Sequence, residues 1–130
     1  MNKMEQLENE IKKQLMSGEK LLSVYSGRTA PASLFWKIFN EASWLTSSNT
    51  PAVLGITNKR LLIYKLHLNS TIDLLEAIPL KDVASCKESN GLLNGGILIQ
   101  LRNNKKLKFV FKKEQVTQII QIISQSLKNV

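Results

Sequence analysis

The chain carries one histidine and one cysteine among 130 residues, and that scarcity excludes most site chemistry at the outset. A metal centre built on His67 lacks the three or four ligands such centres use. Cys86 has no partner for an internal disulfide, which fits a reducing compartment. No base stands beside it in sequence, so it reads as a buried core thiol rather than a nucleophile. Asp73, Glu76 and Asp82 have neither a companion histidine nor metal-ligand spacing, so acid–base catalysis is not expected of them. The glycines between Gly91 and Gly96 are followed by no Gly-Lys-Ser/Thr and no helix; they read as turn glycines, not a phosphate loop. No apolar run approaches the roughly 18 residues of a membrane span. The polar, charged N-terminus lacks the apolar stretch of a secretory signal. These absences predict a cytoplasmic chain with no catalytic residue, no metal, no cofactor and no small-molecule substrate.

What is present is positive charge, unevenly placed. The formal net charge is +8. From Asn90 onward the cations are Arg102, Lys105, Lys106, Lys108, Lys112, Lys113 and Lys128, against the single acid Glu114, so +6 of the +8 lies there. A solvated face that aids solubility is one reading. An anionic partner (phospholipid, nucleic acid or an acidic protein surface) is the other.

The length predicts one domain over residues 1–130. Met4, Leu7, Ile11 and Leu15 form one helical stripe, which predicts an amphipathic helix over Lys3 to Met16, ended at Gly18 and covering one side of the domain. Seven strands are expected: Lys20 to Gly27, Ala52 to Thr57, Arg60 to Leu68, Ile72 to Ile78, Val83 to Glu88, Ile97 to Arg102, and Lys105 to Phe111. Asn58-Lys59 suits a tight turn, with Asn tolerating a positive φ. Asn103-Asn104 suits another. Leu107, Phe109 and Phe111 share one strand face, and Lys106 and Lys108 share the other. Val116, Ile119, Ile120, Ile123 and Leu127 stripe a C-terminal helix from Lys113 to Lys128.

Leu34 to Leu45 reads as a helix inserted between the first two strands, with Ser33 as its N-cap. It holds Phe35, Trp36, Phe39 and Trp44, half of the eight aromatic residues. Such a helix caps a barrel end, meets a partner or enters a bilayer interface.

Four motifs stand in order: Gly18-Glu-Lys-Leu-Leu22, Thr57-Asn-Lys-Arg-Leu-Leu-Ile-Tyr64, Ile78-Pro-Leu-Lys-Asp-Val83 and Leu92-Leu-Asn-Gly-Gly-Ile-Leu-Ile99. Together they resemble the pleckstrin-homology-like (PH-like) domains of the GRAM and bacterial PH type, nearest the YokE-like group with its extra N-terminal helix. The resemblance implies an α+β fold. A seven-stranded antiparallel barrel or roll over residues 19–128 would be closed by the C-terminal helix. It also implies a non-catalytic binding module. The leading expectation is a protein-interaction or oligomerisation domain, with Phe35, Trp36, Phe39 and Trp44 as candidate interface. The alternative is peripheral binding to anionic membrane through Arg102, Lys105, Lys106, Lys108, Lys112 and Lys113, aided by the aromatic helix. The basic pattern that phosphoinositide-binding PH domains carry across their first two strands is missing here: the first ends at Gly27-Arg28, and Val53 to Thr57 has no cation. Stacking aromatics are absent from the Lys106–Lys108 face, so single-stranded nucleic acid is not an expected partner.

Overall fold

The computed structural model describes residues 3–30, 51–89 and 95–130. The predicted helix with Phe35, Trp36, Phe39 and Trp44 lies outside them. Helix α1 (Lys3–Lys12) precedes strands β1 (Leu21–Ala30), β2 (Pro51–Thr57), β3 (Arg60–Leu66) and β4 (Ile72–Pro79). A 3-10 turn (Leu80–Asp82) leads to β5 (Val83–Ser89), β6 (Gly95–Leu101), β7 (Lys106–Phe111) and α2 (Lys113–Lys128). The strands form one antiparallel sheet in the order β4-β3-β2-β1-β7-β6-β5.

Strands β2 and β3 are apolar on consecutive residues, not on alternate ones, because both their faces are covered. Leu54, Ile56, Leu61 and Ile63 point into the main core with Ile97, Ile99, Leu107, Phe109 and Phe111. Val53, Leu62 and Tyr64 point the other way, where Leu7 and Ile11 of α1 cover them. So α1 does cover one side of the sheet. Helix α2 closes the main core with Val116, Ile119 and Ile123, while Ile120 and Leu127 are half-buried at its margin. Gly95 permits that closure: a Cβ there would overlap the Val116 Cγ2 and stand 3.2 Å from the Lys113 Cα.

The structure corrects several predicted boundaries. Helix α1 ends at Lys12, not Met16. The following residues make separate turns, with the Gln14 N–H donating to the Ile11 carbonyl (2.9 Å) and the Glu19 N–H to that of Met16 (3.0 Å). Strand β1 continues through Ala30 because Arg28, Thr29 and Ala30 pair with Val110, Phe109 and Lys108 of β7. Strand β3 stops at Leu66, before a turn in which the Ser70 N–H donates to the His67 carbonyl. Gly95 and Gly96 are strand residues, opposite Phe111 and Val110, and not turn glycines. Asn58 does not take a positive φ; among the described non-glycine residues Ser70 (69°) and Asn104 (71°) do.

Both edge strands are irregular. Leu75 is unpaired between Leu74 and Glu76 on β4, and Ala84 between Val83 and Ser85 on β5. Such bulges discourage edge-to-edge pairing with another sheet.

Candidate functional site

The two motifs nearest the start of the fold are one physical object. The Glu19 side chain is fully buried. Arg60 grips its carboxylate with two hydrogen bonds, Nε to Oε2 at 3.0 Å and Nη2 to Oε1 at 2.8 Å. The Thr57 hydroxyl donates to Oε2 (2.6 Å), and the Met16 N–H donates to Oε1 (2.9 Å). Thr57 Oγ1 also accepts the N–H groups of Lys59 and Arg60, which shapes the β2–β3 turn. Asn58 serves through its side chain: Oδ1 accepts the Lys20 N–H (2.8 Å) and Nδ2 donates to the Gly18 carbonyl (3.3 Å). Gly18 itself sits at φ 77°, a conformation that favours glycine. Burial alone would raise the Glu19 pKa. The hydrogen bonds from Arg60, Thr57 and Met16, with the Arg60 charge, outweigh it and hold the pKa down at about 2. A carboxylate so fully engaged is a structural clasp, not a free acid.

Other reactive groups stand apart. His67 Nε2 lies 2.6 Å from Asp73 Oδ2 on an exposed turn. The half-buried Cys86 packs against the main core, and burial pushes its thiol up to about 12. Among the described residues no three His, Cys, Asp or Glu side chains converge as metal ligands.

The predicted basic residues divide into three groups. Arg102 and Lys105 occupy the β6–β7 turn. There the Arg102 N–H donates to the Asp82 carbonyl and its Nε to the Lys81 carbonyl (2.7 Å). Lys112 and Lys113 stand at the start of α2, at the far end of β7 and roughly 20 Å away by strand rise. Between them Lys106 and Lys108 point outward, opposite to the buried Leu107, Phe109 and Phe111. Strand register then adds two cations that the sequence reading missed. Lys108 faces Leu98, which faces Lys87 on β5. Val110 faces Arg28 on β1. The remaining registered positions on this outer face of β5 and β6 are Ser85, Ser89, Gln100 and Gly96, so none is acidic. Helix α1 packs on the outer face at β1, β2 and β3, and no described helix packs on this half.

The solved structures with a similar fold are far in sequence. A DUF1696 family protein with a pleckstrin-homology domain from Shewanella loihica PV-4 superposes with a TM-score of 0.60 at 16% identity, over 98% of each chain. The Vps36 N-terminal PH domain gives 0.61 at 17%, over 88% of this chain and 83% of that one. The linker-DH/PH structure of p115-RhoGEF gives 0.65 at 9%, over 94% of this chain; the chain spans only 33% of that structure. Identities this low carry the fold alone. No curated protein matches the chain in sequence. The profile of the bacterial PH domain family matches residues 15–125, a span that holds the Glu19–Arg60 clasp, all seven strands and most of α2. With the sheet order and closing helix in place, the chain belongs to the bacterial PH domain family.

Proposed function

We propose that residues 1–130 act as one non-catalytic PH-like binding module of the YokE-like kind, cytoplasmic and peripheral, which docks on an anionic bilayer. The observation that carries this reading is the outer face of β5, β6 and β7, where Lys87, Lys106, Lys108 and Arg28 meet no acid in register. PH domains commonly bind proteins or lipids, and the kind of cation on this face supports the lipid reading. Lysine is a hydrated point charge that suits a diffuse headgroup layer, whereas protein interfaces are depleted in lysine and enriched in arginine and aromatics. Leu98 and Val110 lie between the lysines as apolar relief. No described helix is long and apolar enough to cross a membrane, so contact through helices would be peripheral.

The four cations of this face, at about 1 kcal/mol each near an anionic surface, supply about 4 kcal/mol. That corresponds to a Kd of about 1 mM in accessible lipid. The test is co-sedimentation with phosphatidylserine–phosphatidylcholine vesicles at about 0.1 M and about 0.5 M salt. Binding is expected at the lower salt, is lost at the higher, and is lost in Lys106→Glu/Lys108→Glu. No vesicle binding at low salt, together with concentration-dependent self-association in sedimentation velocity, would favour the protein-interaction or oligomerisation reading instead.

A further inference from the structure

Glu76, Asp82, Arg102 and Lys105 line one cavity of about 530 Å³ between the end of β4, the 3-10 turn and the β6–β7 turn. Ile78, Leu101 and Leu107 also line it; they are buried and belong to the main core. Two carboxylates and two cations thus share one space, yet among the described residues no ion pair joins them. Arg102 is held in place by backbone: its Nε donates to the Lys81 carbonyl and its N–H to the Asp82 carbonyl. Its Nη groups have no partner among the described residues. A purely anionic ligand would meet Glu76 and Asp82, and a purely cationic one would meet Arg102 and Lys105. A ligand that carries both charges satisfies both sides. The volume lies within the range of small-ligand sites, which pair an apolar floor with a few placed polar groups.

We propose that this cavity binds a small zwitterion with an apolar body, of the chemistry of a short peptide with free termini. Its carboxylate sits at Arg102 and Lys105, where a charge-assisted contact to guanidinium is strongest. Its ammonium sits at Glu76 and Asp82. Its apolar side chain lies over Ile78, Leu101 and Leu107. The site is separate from the outer face of β5, β6 and β7, because Glu76 and Asp82 are not on that face.

The test is titration of the full ¹⁵N-labelled chain with dileucine, N-acetyl-dileucine and dileucine amide, followed by amide shifts. Free dileucine is expected to move amides within 76–82 and 101–107. Capping either terminus is expected to weaken binding about tenfold, the effect of one lost charge contact. Glu76→Gln/Asp82→Asn should abolish the preference for the free over the acetylated peptide, and Lys105→Gln the preference for the free carboxylate over the amide. Asp82 and Lys105 are exposed, and Glu76→Gln keeps the shape of a half-buried side chain, so these variants should keep the dispersed spectrum of the folded chain. No shift with free dileucine, shifts confined to other residues, or equal binding of the capped peptides would overturn the proposal. The titration contains no lipid, so its result is independent of the vesicle experiment.

Discussion

The clasp around Glu19 makes stability depend on pH in a way that can be worked out in advance. The pKa of Glu19 falls from an ordinary 4.5 to about 2 on folding. At about 1.4 kcal/mol per pH unit this is worth about 3 kcal/mol. The sign follows from the direction. A carboxyl that is a stronger acid when folded contributes fully above about pH 4.5. The contribution falls to about 1.4 kcal/mol at pH 3, and it is nearly gone at pH 2. Glu19→Gln keeps the shape but removes the charge. It also leaves the guanidinium of Arg60, only 18% exposed, without its partner. Breaking a buried pair in this way costs about 3–5 kcal/mol, and the partial exposure of Arg60 places this case at the low end.

Urea unfolding followed by far-ultraviolet circular dichroism measures the effect. At pH 7 the variant is expected to be less stable than the parent by about 3 kcal/mol. The gap should narrow as pH falls from about 4.5 towards 2, since the parent protonates the same carboxyl. Titration of every other acid is common to both proteins and cancels in the difference. A gap that keeps its neutral value down to pH 2 would refute the assignment of the low pKa to Glu19. A gap of less than about 0.5 kcal/mol at pH 7 would mean that the clasp holds nothing together.

Three further outcomes are expected. Gly95→Ala should lower stability by about 3 kcal/mol in a thermal melt, and Gly95→Ala/Val116→Ala should recover part of that, because the Val116 methyl is the first atom a new Cβ meets. Ile119→Ala, at a fully buried position, should cost about 3–4 kcal/mol and Ile120→Ala clearly less; equal costs would mean that α2 packs in a different rotation. With its thiol pushed up to about 12, Cys86 should react with a thiol reagent at pH 8 about a thousandfold more slowly than a free cysteine; a native rate near that of free cysteine would contradict its burial.

The elements legible in the sequence are those whose cause is local. The alternation of Leu107, Phe109 and Phe111 and the stripe of Val116, Ile119 and Ile123 each lie within a few residues, and both are where the periodicity puts them. What was not legible depends on distant partners. Nothing near Arg28 to Ala30 says that the strand continues; β7, about eighty residues later in the chain, supplies the pairing. Gly95 and Gly96 look like turn residues by composition, yet both pair with β7, and at Gly95 a helix approaches so closely that only glycine leaves the room.

The site divides along the same line. Lys106 and Lys108 were recognisable as one face because strand alternation is a property of a single segment. Lys87 and Arg28 join them only through register across β5, β6, β7 and β1, which no local pattern encodes. Conversely, Lys112 and Lys113 follow Lys108 closely in sequence but belong to the start of α2, so proximity along the chain overstated their membership in one patch. The motif residues show the reverse case. Gly18-Glu19 and Thr57-Asn-Lys-Arg60 were visible as two separate signatures, and the separation of 41 positions from Glu19 to Arg60 concealed that each exists for the other. A buried carboxylate requires a cation and hydrogen-bond donors, and a turn that presents both must keep its threonine and arginine. The most distinctive letters of this chain therefore report how the barrel is fastened at its entry. The residues proposed for binding lie elsewhere, on strand faces and turns where physical constraint on the sequence is weaker.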